Sequence, residues 1–210
     1  MMAKAQTQSR EKIHEQIRQA CVDFIEQIYP DQSKIVVFGE GNLSAKLMLV
    51  GEAPGEQETL RQRPFVGSAG KNLDRFLELV HLEREALYIT NTVKFRPTKR
   101  NEKTGRLSNR PPEREEVLLC TRFLREEINL VSPRVIASLG NVALRALAGD
   151  RRLTIGAEHG RPRPCQMAGG GVEFILFPLY HPASVIYNNK LKETYEQDVA
   201  QLAQYLKERM

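Results

Sequence analysis

A chain of 210 residues is long enough for one domain with a full two- or three-layer core. Its 31 Lys and Arg against 26 Asp and Glu leave a net charge of +5, which suits either a polyanionic partner or a mildly basic surface. Cys21, Cys120 and Cys165 share no short spacing, which argues against a disulfide framework and excludes a complete four-cysteine metal site within one chain. A reducing, cytoplasmic setting is expected. No stretch approaches a membrane span and the N-terminus lacks the apolar core of a signal peptide, so no membrane partner is expected.

In chain order, a helix is expected from about residue 9 to 28, then a strand at "KLMLV" (46–50). The glycine-punctuated stretch "GEAPGEQETLRQRPFVGSAG" (51–70) follows, and then helical spacing at Leu73, Phe76, Leu77 and Val80. A second strand, "LYITNTV" (87–93), runs into "KFRPTKRNEKTGRLSNRP" (94–111), which holds seven Lys or Arg and one acid. Pro111 and Pro112 suit the first turn of a helix with apolar Val117, Leu118, Phe123, Leu124 and Ile128; Glu113, Glu115 and Glu116 stand where its dipole favours acids. Strands at "RVIASL" (134–139) and "VEFILFPLY" (172–180) and a helix from about 190 to 207 complete the chain. Strand alternating with helix predicts an α/β fold, a parallel sheet covered on both faces, with residues 1–210 forming a single domain.

Ligands of open α/β sheets bind beyond the carboxyl ends of the strands. Those ends carry Gly51 and Glu52, Asn91, Gly140 and Asn141, and His181. Singly, Glu52 reads as a helix cap, Asn91 as a turn residue and His181 as a surface corner. Together at equivalent strand ends, a carboxylate, an amide and an imidazole define a site. The basic run 94–111 emerges on the same side, and is either a solvated loop or a surface that follows a phosphate backbone. "VGSAGKN" (66–72) leads through glycines into a helix whose free N–H groups can take one phosphate. Asn72 stands where a P-loop needs Ser or Thr, so nucleoside triphosphate binding is not expected.

"GEAPGEQE" with "RPFVGSAG", then "ITNTVKFRP", "ASLGNVALRAL" and "FPLYHPAS" resemble the family 4 uracil-DNA glycosylases, in order and spacing, from about Val37 to the C-terminus. The resemblance implies a three-layer sandwich with a central four-stranded, mainly parallel sheet. It also implies hydrolysis of the bond between uracil and deoxyribose in DNA. On that reading Phe65 stacks on a flipped base, Asn91 reads uracil N3–H and O4, and His181 donates to O2 as the base leaves. Ala53 borders the base, and either Glu52 or Glu58 orients the water or stabilises the cationic sugar, Glu52 being placed in the pocket and Glu58 in support. Ser68, Lys99, Arg100, Arg106 and Ser184 contact DNA, and Val185 or Ile186 wedges the minor groove or packs in the core.

Members of that family carry a four-iron, four-sulfur cluster on four cysteines. Here Ile25, Ile28 and Phe95 fall at three of the ligand positions and only Cys120 at the fourth, so no metal or cluster cofactor is expected and the apolar side chains are expected to fill the volume. No histidine lies between residues 94 and 111, so the covalent trapping of DNA seen in a related branch is not expected. The partner is uracil-containing DNA and a monomer suffices. The alternatives are a glycosylase for another deaminated base such as hypoxanthine, and a DNA damage-binding module without cleavage.

Overall fold

The computed structural model describes residues 2–79, 81–186 and 189–209. Helix α1 (Met2–Ile28) leads to a short strand β1 (Glu40–Gly41) and to β2 (Leu47–Gly51). The stretch after β2 holds α2 (Glu56–Arg61) and runs into α3 (Ser68–Leu79). Strand β3 (Tyr88–Asn91) is followed by two strands, β4 (Thr98–Arg100) and β5 (Leu107–Asn109), which pair as an antiparallel hairpin. Then come α4 (Arg114–Val131), β6 (Val135–Leu139), α5 (Asn141–Ala148), α6 (Ile155–Glu158), β7 (Arg163–Cys165), β8 (Phe174–Leu179), α7 (Pro182–Ile186) and α8 (Asn189–Arg209).

The main sheet has six strands in the order β1-β3-β2-β6-β8-β7, not the expected four. The four central strands are the expected parallel set; β1 and β7 are short antiparallel additions at the two edges. Neither edge strand exceeds three residues, too short for an apolar alternation to show in the sequence. The central strands are buried along their length, as a sheet covered on both faces requires. Leu47 and Leu49 face α3 and α8 through Leu73, Leu77, Val199, Leu202 and Leu206. Met48 and Val50 face α4 and α5 through Leu124, Ile128, Leu144 and Leu147, completing the three layers.

Several expectations change in detail. Pro111 and Pro112 precede α4 rather than opening it: Glu113 is the N-cap, and the Glu116 carboxylate accepts its N–H at 2.8 Å. Leu118 points outward at 61% exposure, because Phe123, Leu124, Glu127, Ile128 and Val131 occupy the buried stripe. The basic run is a folded hairpin, and its first lysine, Lys94, is fully buried. Val80 lies outside the described residues, as do Tyr187 and Asn188 and the side chains of Phe76 and Ile186. Val185 is packed in the core beside α8, so it is not a wedge. Among the described residues no helix is long and apolar enough to cross a membrane.

Leu49, 2% exposed and in the middle of the sheet, has little room to relax around a cavity. Leu49→Ala is expected to lower stability by about 2–5 kcal/mol, read as a reduced urea midpoint at unchanged slope.

Candidate active site

The carboxyl ends of β2, β3 and β8 surround a cavity of about 320 Å³, lined among others by Ala53, Glu58, Phe65, Ser68, Asn91 and His181. The volume is at the lower end of the range for small-molecule sites, about 300–1,000 Å³. Six of the residues singled out in the sequence therefore meet in one place. Ser184 and the hairpin residues Lys99, Arg100 and Arg106 do not line it and are solvent-exposed. Glu52 is flanked by Gly51 and Ala53 but does not line the cavity either. Its carboxyl has no hydrogen-bonding or ionic partner among the described residues, and burial pushes its pKa up.

The two carboxylates thus differ in kind. Glu58 Oε1 accepts the N–H groups of Val66 at 3.0 Å and Gly67 at 2.7 Å, and Oε2 accepts that of Gly55 at 3.1 Å. Three backbone donors leave it little acceptor capacity, and they fold the stretch between α2 and α3 back onto itself. This loop holds Phe65 at φ +53°, a left-handed conformation unfavourable for a bulky side chain, with its ring buried. A Cβ on Gly51 would stand 2.5 Å from the Phe65 ring and collide with Asn91 Oδ1, so only glycine lets the end of β2 pass between them.

Asn91 is the last residue of β3 and is 2% exposed. Its side-chain amide makes no hydrogen bond among the described residues and faces the cavity. Its backbone is held from behind. Lys94 Nζ donates to the Asn91 carbonyl at 2.7 Å, to Thr90 Oγ1 at 2.8 Å and to Glu127 Oε2. Glu127 Oε1 also accepts from the Tyr88 hydroxyl at 2.9 Å and the Gly39 N–H at 3.0 Å, and both members of the ion pair are fully buried. His14 Nε2 reaches the Tyr88 hydroxyl at 2.8 Å, which ties α1 into the same network. By sequence Lys94 belongs to the basic run, and no role is expected of Glu127. The signal was present, since Glu127 falls on the apolar stripe of α4 between Leu124 and Ile128.

His181 follows β8. Its ring lies 6.0 Å from that of Phe65 between centroids, with 29° between the planes. Gly140, at φ +87°, gives the ring room: a Cβ there would approach His181 Cβ to 3.2 Å. His181 Nδ1 accepts the Ala183 N–H at 3.2 Å, which leaves Nε2 to carry the proton of the neutral ring. Burial lowers the pKa to about 4, against an upward pull from Glu58. The site therefore presents a neutral imidazole donor at neutral pH. Asn109, at the end of β5, also lines the cavity, with its Oδ1 held by Arg96 Nε at 2.7 Å. No periodic pattern marked it in the sequence.

Cys21, Ile25, Phe95 and Cys120 share one buried apolar cluster with Phe38, Val93 and Phe123. Cys21 was not anticipated there, whereas Ile28 is 42% exposed and does not help fill the volume. Two thiols, an isoleucine and a phenylalanine do not supply the four ligands of an iron–sulfur cluster, and Cys165 lies apart on β7. Among the described residues no three His, Cys, Asp or Glu are disposed to hold a metal ion.

The mainly parallel sheet thus carries an unpartnered amide, a neutral imidazole donor and an aromatic wall at its strand ends. The chain belongs to the uracil DNA glycosylase superfamily, whose sequence profile matches residues 38–207. It is 36% identical to the type-4 uracil-DNA glycosylase of Saccharolobus solfataricus, over 82% of this chain and 77% of that one. Identity to the type-4 enzyme of Archaeoglobus fulgidus is 37%, over 79% of each chain, and to that of Thermotoga maritima 35%, over 82% and 83%.

The lowered pKa of His181 makes stability depend on pH. Because the folded value lies below the ordinary 6.5, protonation favours the unfolded chain; this contribution to stability is complete above pH 6.5 and is lost as pH falls toward about 4. In nitrogen-15 spectra His181 is expected to remain the neutral, Nε2-protonated tautomer at pH 6; a midpoint near 6.5 would refute the assignment. Glu58→Ala is expected to cost on the order of 3 kcal/mol, read by urea unfolding, because three backbone donors lose a charged acceptor.

Proposed function

We propose that the chain is a uracil-DNA glycosylase that hydrolyses the N-glycosidic bond of deoxyuridine in DNA, releasing uracil and leaving an abasic site. The observation that carries this reading is the pairing of a buried, unpartnered Asn91 amide with the neutral His181 donor across one small cavity. A base inside a duplex is out of reach, so the nucleotide must leave the stack at a cost of a few kcal/mol. Once in the cavity, the pyrimidine lies beside the Phe65 ring. Asn91 Oδ1 accepts from N3–H and its amide donates to O4; cytosine offers the reverse pattern, which the amide meets only if it turns over.

Breaking the glycosidic bond leaves positive charge on the sugar and negative charge on the base. His181 Nε2–H donates to O2 as that charge grows. A neutral donor avoids the loss of its proton to the departing base, and its pKa near 4 keeps it neutral across the working range. Glu58, engaged with three N–H groups, shapes the loop that carries Phe65. Glu52, whose carboxyl keeps its acceptor capacity, is the group we assign to the attacking water or the cationic sugar. Ala53 borders the base. Ser68, at the first turn of α3, and Ser184 contact phosphates beside the flipped nucleotide. Among the described residues Lys99, Arg100 and Arg106 have no ion-pair partner, in contrast to Arg110, which grips Glu116 through two hydrogen bonds of 2.7 Å. These three side chains follow the DNA backbone.

We further read the chain as working without an iron–sulfur cluster, since Ile25 and Phe95 pack where ligands would have to stand. A purified protein with strong absorbance at about 400 nm and stoichiometric iron would contradict this. We read the working unit as a monomer, and three free thiols suit a reducing compartment such as the cytoplasm.

The test is strand scission by alkali of oligonucleotides carrying one uracil, hypoxanthine or thymine. Cleavage at uracil is expected, reduced about 10²–10³-fold by His181→Ala. Cleavage at hypoxanthine alone would change the substrate, and binding without cleavage would make the protein a damage-binding module. Replacing Lys99, Arg100 and Arg106 together by Ala is expected to weaken DNA binding and to lower the slope of log affinity against log salt by about 2–3 units. An unchanged slope would return the hairpin to a merely solvated surface.

A further inference from the structure

A second cleft, of about 480 Å³, lies between the β4–β5 hairpin and the segment joining α1 to β1. Of its lining, the reading above uses only Arg100, as a contact to the DNA backbone. Its lining includes Lys34, Arg96 and Arg100 against one acid, Asp31; Arg96 is paired at 3.3 Å with Glu56 outside the cleft, which leaves Lys34 and Arg100 as its cations without an acidic partner among the described residues. The same lining contains Ile35 and Leu107, which are 41% and 44% exposed. Lys34 is not a loose surface side chain: its ammonium sits 5.1 Å from the ring centroid of Phe95 and 5.3 Å from that of Tyr29. Phe95 is itself fully buried in the apolar cluster with Cys21 and Cys120. The cation is thereby placed on a rigid floor.

The cleft adjoins the active-site cavity. Arg96 lines the cleft and donates to Asn109, which lines the cavity. Thr59 lines the cleft while Glu58, its neighbour on α2, lines the cavity. Two exposed aliphatic side chains beside Lys34 and Arg100 match the two halves of a nucleotide, an apolar base face and an anionic phosphate. A strand that delivers one nucleotide to the cavity must pass its rim.

We propose that this cleft holds a nucleotide flanking the uridine on the same DNA strand, its base against Ile35 and Leu107 and its phosphate toward Lys34 and Arg100. The inference rests on the glycosylase reading for the position of the strand and adds a second point of attachment to it. A strand held at two points resists slipping out of the cavity. The enzyme accordingly senses the presence of a base at one flanking position on one side of the uridine, and not at its mirror position.

The test uses single-stranded oligonucleotides with one uracil, in which a tetrahydrofuran spacer replaces one nucleoside at each of the three positions on either side. Wild type is compared with Ile35→Ser/Leu107→Ser, two exposed positions whose change leaves the core intact. For wild type, kcat/KM is expected to fall about 10-fold with the spacer at one position on one side only. The double variant is expected to show that loss already on the unmodified strand and to be indifferent to the spacer. A wild type indifferent to every spacer, or a double variant as active and as spacer-sensitive as wild type, would overturn the proposal. Uracil release by wild type from the unmodified strand checks the underlying activity separately. Should it be absent, fluorescence anisotropy with a uracil-free single strand still decides about the cleft: several-fold weaker binding by the double variant supports it, and equal binding refutes it.

Discussion

The ion pair between Lys94 and Glu127 organises this molecule. Neither side chain has any solvent exposure, so each charge carries a desolvation cost that only its partners can offset. The offset is distributed over Tyr88, Thr90, the Gly39 N–H and the Asn91 carbonyl, which belong to β3 and to the segment before β1, while Glu127 itself comes from α4. His14 adds α1 through Tyr88. Removing either charge strands the other in the core. The pair therefore fixes where β3 ends, and with it the place from which the Asn91 amide faces the cavity.

The rest of the site depends on the same economy of holding reactive groups from behind. Glu58 gathers three N–H groups of the loop after β2 and so keeps Phe65 in a conformation that its own backbone preference disfavours. His181 is oriented by the N–H of Ala183 two residues further on. In each case the group that faces the cavity is left free while a neighbour supplies the constraint, an arrangement suited to preorganised electrostatic catalysis. The apolar cluster of Cys21, Ile25, Phe95 and Cys120 plays a comparable part on the other flank, joining α1 to α4 and to the segment after β3 by packing.

Much of this was legible in the sequence because buried parallel strands are written as unbroken apolar runs and because ligands gather at their carboxyl ends. Those two regularities located Asn91, His181 and the loop carrying Phe65. What escaped has equally physical reasons. Strands β1 and β7 are too short to show a period. The β4–β5 hairpin is built from polar residues whose pairing is local, and it resembled a charged loop. Lys94 was counted as a surface cation because its charge is visible in the sequence, whereas its partner lies 33 residues away on another element. Asn109 reaches the cavity only through the hairpin's fold, and Cys21 joins Cys120 only through the packing of α1 on α4.

The buried pair positions the end of β3 that carries Asn91 and does not merely stabilise the core. Uracil excision by the double variant Lys94→Met/Glu127→Leu tests this role most directly, because removing both charges together spares the core an unpaired ion. The double variant is expected to fold with a lowered urea midpoint, since the Gly39 N–H and the Tyr88 and Thr90 hydroxyls lose their acceptor, and in its folded range to excise uracil on the order of 10²-fold more slowly, Asn91 having lost its anchor. A folded double variant with wild-type excision would contradict it.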